Sequence, residues 1–126
     1  CSGTLLIASN NVTQAQPLTV STVYIRTSGT ALGGAFGSAS SLLLGSTGSA
    51  NSATLSNAAG LTKAATDNQW HSLNGLANGN GTSSAINVDG SDTTGAAGTL
   101  GLSGEGIRFC RATTAELIGS VAEGGI

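Results

Sequence analysis

The stretch PLTVSTVYIRT, residues 17–27, decides the fold class. Leu18, Val20, Thr22 and Tyr24 alternate with Thr19, Ser21, Val23 and Ile25. A period of two with this β-branched enrichment predicts a strand, not a helix. Pro17 fits the first strand position, where a missing ladder donor costs least. Both faces carry apolar groups, so the strand is expected at the centre of a sheet covered on both sides.

The same pattern recurs on either side. Thr4 to Ala8 reads as a short strand and Asn10-Asn11 as a turn. Ala31–Phe36 and Ser41–Leu44 are short candidates separated by Gly and Ser. Residues 46–59 are nearly low-complexity, yet Leu55 and Leu61 punctuate the region, which predicts thin strands and loops instead of a linker. Gln69 to Ala77 (QWHSLNGLA) and Ser84 to Asp89 (SAINVD) are strands. Asn78-Gly79-Asn80-Gly81 joins them, and Asp89-Gly90 gives a turn signal after the second. Thr99–Leu102, Ile107–Arg111 and Leu117–Glu123 bring the total to about eight to ten short strands. Turns every 8–12 residues or so point to a sandwich or jelly roll.

Composition agrees. Gly, Ala, Ser and Thr supply 71 of the 126 residues, and only 8% are charged. Such a chain lacks the surface helix formers, and it lacks the net charge or Pro bias that disorder calls for. The length suits one domain spanning residues 1–126. Four basic residues and a net charge of −2 exclude an electrostatic nucleic-acid binder. No apolar run is long enough for a membrane-spanning helix. Solubility through hydroxyls and amides instead of charge suits an extracellular or virion-surface protein. The opening at Cys1, without an initiator Met, reads as a processed or incomplete chain. Asn11-Val-Thr13 and Asn80-Gly-Thr82 match the N-glycosylation pattern, which a chain this rich in Ser and Thr produces by chance.

Three landmarks then stand in order: Asp67-Asn68-Gln69-Trp70-His71-Ser72-Leu73, Ser84 to Gly90, and Gly119 to Ile126 (GSVAEGGI). Together with the early strand from Ala15 they resemble the laminin-G-like branch of the concanavalin A-like jelly rolls. The resemblance covers about Ala15 to Ile126 and implies an antiparallel β-sandwich, with Trp70 in its core. It also implies a setting, because jelly rolls of this kind occur as decoration or fibre modules of phage virions and in bacterial surface proteins. Where the family's pattern continues past Ile126, this chain stops, so a neighbouring chain is expected to complete a sheet edge, or part of the protein lies outside this sequence.

Chemistry is sparsely signalled. The glucanase run E-x-D-x-E is absent, and of the six acids only Asp89 and Asp92 are close in sequence. His71, the one histidine, is expected on the polar face of its strand. No catalytic residue is assigned and the chain is expected not to be an enzyme. The resemblance implies a loop-rim site whose ligand-binding oxygens come from Asn78, Asn80, Asp89 and Asp92, with calcium as the weak cofactor candidate and no metal ligand assigned. The plainer account is that these residues make turns. A sugar site would be built from loops around Asn74 to Ser84, since Trp70, Phe36 and Phe109 are taken by the core.

In Ile107-Arg108-Phe109-Cys110, alternation puts Cys110 on the polar side with Arg108. A Cys1–Cys110 disulfide, a bridge from either cysteine to another subunit, and two free thiols all remain open. The leading expectation is a non-enzymatic structural or adhesion module, a homo-oligomer that partners copies of itself or other structural proteins. The alternative is a lectin-like domain that binds surface glycans.

Overall fold

The structure is a computed structural model and describes residues 1, 6–27, 33–38, 42–46, 49–57, 59–99, 101–112 and 115–126. Among the described residues thirteen strands follow in chain order: β1 Leu6–Gln14, β2 Leu18–Arg26, β3 Gly33–Ser38, β4 Leu43–Ser46, β5 Ser52–Ser56, β6 Gly60–Ala64, β7 Trp70–Ala77, β8 Ser84–Val88, β9 Ser91–Gly95, β10 Leu102–Phe109, β11 Arg111–Ala112, β12 Ala115–Glu116 and β13 Gly119–Gly125. They form two sheets. The larger runs β1-β10-β3-β4-β5-β6, with the short pair β11 and β12 attached to β3. The smaller runs β13-β2-β7-β8-β9. All pairings are antiparallel except a one-residue parallel bridge between Glu116 and Gly34. The chain is an all-β sandwich, as the alternation of residues 17–27 predicts.

β2 is central, flanked by β13 and β7, but only one of its faces is covered. Leu18, Val20, Thr22 and Tyr24 are buried, whereas Ser21, Val23 and Ile25 are half-buried on the outer side. Leu73 and Ala77 of β7, with Ile86 and Val88 of β8, share that inner face and meet Phe36, Leu44, Leu55 and Leu61 of the larger sheet in one core. The sheets approach closely at Gly75, where a Cβ would lie 2.8 Å from Leu55 Cδ1 of the facing sheet and 3.2 Å from Val20 Cγ2 of the neighbouring strand. Close packing of a small-residue interface explains how a chain with four aromatics fills a core.

Several expectations are revised. Asn10-Asn11 is no turn: β1 runs through it, with Asn11 at φ 70° beside a register shift against β10. The low-complexity stretch does hold a thin strand, β5, as expected, whereas its hairpin partner β6 and the strand β9 after Asp89-Gly90 are unforeseen. Thr99–Leu102 and Ile107–Arg111 are not separate strands, because β10 runs unbroken from Leu102 to Phe109. Residues 4–5, 31–32 and 41 of the expected early strands lie outside the described residues.

Cys1 and Cys110 form a disulfide within the chain, S–S 2.09 Å. Neither is left to bridge a second subunit, and no cysteine is free. Cys110 is buried, not on a polar face, because the strand ends at Phe109 and Cys110 turns out of it at φ 66°. Its N–H donates to the Ala35 carbonyl and its own carbonyl accepts from Leu117 N–H.

Candidate functional site

The phase of β7 sets the site. Leu73, Gly75 and Ala77 point inward, so His71 does too, while Trp70, Ser72 and Asn74 point outward. Trp70 is therefore 53% exposed and His71 only 7%, the reverse of what the sequence suggests. Both phases of QWHSLNGLA carry a large apolar residue, so hydrophobicity alone does not fix the phase. The polar partners of Trp70 at two-residue spacing, Ser72 and Asn74, were the available signal.

His71 is held at both ring nitrogens. Nδ1 lies 2.6 Å from Asp89 Oδ2 and Nε2 lies 2.7 Å from the Thr66 carbonyl oxygen. The Ser72 N–H donates to Asp89 Oδ1 at 2.8 Å, which fixes the carboxylate from a second side. Partial desolvation works to raise the Asp89 carboxyl, but the hydrogen bonds from His71 and the Ser72 N–H, with the His71 charge, outweigh it and hold the group below its ordinary value. Tyr24 sits 6.3 Å from His71, ring centre to ring centre. Burial pushes its phenol up to about 12, with Arg26 opposing and Asp67 and Asp89 adding.

The loop that leads into Trp70 is anchored by a second polar node. Arg26, 3% exposed, reaches Asp67 Oδ1 through Nε at 2.6 Å and donates to the Ser49 carbonyl at 3.0 Å. The Asn68 N–H donates to the Arg26 carbonyl at 2.7 Å, and the Asp67 N–H donates to Asn51 Oδ1 at 2.9 Å. Residues 66–68 are thus tied to His71, to the segment before β5 and to β2.

Asn78, Asn80, Asp89 and Asp92 do not converge. Asn78 and Asn80 lie exposed in the β7–β8 connection, where the Asn78 N–H donates to Ser84 Oγ and the Gly79 N–H to Gln16 Oε1. Asp89 and Asp92 lie at the other end of β8, roughly 17 Å away for five residues of strand. These two also diverge, since Asp89 pairs with His71 and Asp92 Oδ1 accepts from Asn87 Nδ2 at 2.5 Å. Among the described residues no group of three or more His, Cys, Asp or Glu side chains is placed to hold a metal ion.

Two surfaces result. One is the outer face of the smaller sheet. There Trp70 stands opposite Ile25, Ser72 opposite Val23, and Asn74 between Ser21 and Asn87, which in turn faces Asp92. The Gly90 N–H donates to Asn87 Oδ1 at 2.9 Å, so the amide is fixed in orientation. The other is a cleft of about 700 Å³ between β6 and the β8–β9 hairpin, lined by Lys63, Thr66, Gln69, His71, Asp89 and Thr93 among others. Lys63 Nζ donates there to the Asp92 carbonyl and to Thr93 Oγ1, both at 3.1 Å. Sequence reasoning missed Lys63 and the cleft, because neither β6 nor β9 was recognised as the edge strand that frames it.

Compared with known proteins, the chain matches no family model, no curated protein and no solved structure.

Proposed function

We propose that this chain is a non-enzymatic, surface-displayed binding module of the laminin-G-like type, and that it binds glycans across the outer face of its five-stranded sheet. The exposed indole of Trp70 carries this reading. A half-exposed tryptophan on the outer face of a sheet is a stacking platform for the apolar face of a sugar ring. Beside it Ser72, Asn74, Asn87 and Asp92 supply the hydroxyl, amide and carboxylate groups that ring hydroxyls require. Few but oriented polar groups are what give a binding site its specificity. The sequence alone ranks assembly first, on Gly/Ser/Thr richness without charge, short sandwich ends and Cys110 on a polar face, with Trp70 counted in the core; the exposed indole and the internal disulfide favour glycan binding instead.

A binding role also fits the chemistry. Both nitrogens of His71 are occupied by protein oxygens, so the ring offers no free base to a substrate. Asp89 and Asp92 turn to different partners, whereas glycoside hydrolysis needs two carboxylates flanking one bond. Trp70 is the sole tryptophan, so its fluorescence reports the site directly. Titration with polysaccharides is expected to quench or shift that emission, and Trp70→Ala is expected to abolish binding while leaving the far-ultraviolet circular dichroism unchanged. Glycan binding that leaves the emission untouched and survives Trp70→Ala would refute the placement, and the absence of any glycan binding would refute the function.

A further inference from the structure

We infer that Asn80 is a site of spontaneous covalent modification, at which the side-chain amide is converted to a carboxylate without an enzyme. The Gly81 nitrogen, its proton lost to solvent, attacks Asn80 Cγ and forms a new C–N bond. The Cγ–Nδ2 bond then breaks, and the amide nitrogen leaves as ammonia with a proton from water. Water opens the resulting succinimide ring at either carbonyl and leaves aspartate or isoaspartate. The reaction takes no partner but water. It does need a backbone N–H that nothing else holds and room for that nitrogen to swing against Cγ. It is fastest where the following residue has no Cβ, which is glycine.

Three Asn-Gly pairs occur in the chain, and the fold closes two of them. Gly75 sits in β7 opposite Val20 of β2 and Ile86 of β8, so ladders on both sides keep its peptide extended. The Gly79 N–H donates to Gln16 Oε1 at 2.6 Å, and the same residue bridges to Gly98. Asn80 and Gly81, by contrast, are both exposed and belong to no strand, and a Cβ at Gly81 would meet nothing within 4 Å. Among the described residues no group accepts the Gly81 N–H. Asp89-Gly90, the related acid pair, is closed too: the Gly90 N–H donates to Asn87 Oδ1, and the Asp89 oxygens are engaged by His71 and the Ser72 N–H.

Conversion of Asn80 adds a negative charge to a chain whose net charge is already −2, and isoaspartate adds a methylene to the main chain. That insertion falls inside the connection that Ser84 closes, where its Oγ accepts from the Asn78 N–H at 2.8 Å and donates to the Gly79 carbonyl at 3.1 Å. Trp70 lies at the other end of β7, roughly 25 Å away for a strand of this length. The inference therefore stands apart from the glycan-binding reading.

The test is to age the purified chain in mildly alkaline buffer, native and in concentrated urea, and to follow each Asn-Gly pair by peptide mapping with mass spectrometry. Isoaspartate is read separately by enzymatic methylation. In urea all three pairs are expected to convert at similar rates. In the native chain Asn80 should convert at close to its urea rate, whereas Asn74 and Asn78 should slow about tenfold or more, because they react only through the locally opened fraction. Gly81→Val should slow conversion at Asn80 and leave the other two pairs as they were, and Asn80→Gln should remove the fast site. The Trp70 emission should stay constant as conversion proceeds. An Asn80 that persists in the native chain while converting in urea overturns the inference. So does native conversion of Asn74 or Asn78 as fast as that of Asn80, since the fold would then confer no selectivity.

Discussion

The Cys1–Cys110 bridge spans 109 residues of sequence separation, nearly the whole chain, and its removal has a calculable effect. The cross-link acts on the unfolded ensemble by forbidding conformations in which the two ends separate. For a loop of this length the chain-entropy relation gives about 4.8 kcal/mol at room temperature. Unfolding entropy is about 2.1 cal/mol/K per residue, or about 0.26 kcal/mol/K for a chain of this length, so the melting temperature should fall by roughly 18 °C. The variant is Cys1→Ala with Cys110→Ala, compared with the oxidised wild type by urea titration and by calorimetry. A second signature separates this cause from lost packing at the buried Cys110. Freed of its cross-link, the unfolded chain expands and exposes more surface, so the urea m-value should rise as the midpoint falls. A loss of stability with an unchanged m-value would place the effect in native packing. A loss below about 1 kcal/mol would refute the entropic account altogether.

Three other outcomes are expected. Gly75→Val places a branched side chain where even a Cβ lies 2.8 Å from Leu55, so denaturant titration should show a loss of about 1–3 kcal/mol, and a neutral result would mean the sheets are not in contact there. Asp89 has its carboxyl held below the ordinary value of 3.8, so its contribution to stability is present above that value and is lost as the pH falls through the lower folded-state value. Thermal melts of wild type and Asp89→Asn should therefore differ at neutral pH and converge in strong acid, and a constant gap at all pH values would count against the pairing with His71. Trp70, being half-exposed, should emit like a solvated indole and be quenched readily by acrylamide; a blue-shifted, protected emission would show that the β7 phase is reversed.

What the sequence made legible follows from where hydrophobic periodicity is strong. Leu18–Arg26 form one strand because β-branched residues recur through both of its phases, and Asp89-Gly90 forms the two-residue hairpin because both residues take positive φ, 52° and 86°. The β5–β6 hairpin was only partly legible, because the low-complexity stretch reads as thin strands and loops without fixing which residues pair, and β6 lies beyond it. Its inward residues include Ala53 alongside Leu55, and its Ser and Thr are as common in loops as on hydroxylated strand faces. The candidate site was hardest to see because it depends on phase. A one-residue shift exchanges Trp70 and His71 between faces, and QWHSLNGLA permits both choices until Gly75 is packed against Leu55. Position along the chain was equally uninformative about Asn78, Asn80, Asp89 and Asp92, since one strand length separates the first pair from the second.

The buried polar groups behind Trp70 explain why so lean a protein keeps them. Removing Arg26 and His71 from water costs free energy, and a buried ion pair recovers that cost only in part. Apolar side chains at these positions would hold the sheets together as well, so cohesion alone does not account for them. What apolar contacts cannot do is fix a loop at defined points. Arg26 reaches Asp67 and His71 reaches the Thr66 carbonyl, and the Asn68 N–H closes onto β2, so the three residues that precede Gln69 are each tied down. Trp70 follows at once, on the first residue of β7. The backbone leading to its indole is fixed from the interior while the indole itself is half-exposed, and, on the proposed reading, a platform carried that way loses little freedom when a ligand stacks on it. On the proposed glycan-binding reading, the polar interior and the exposed aromatic are two ends of one device, which places the expense of the first in the service of the second.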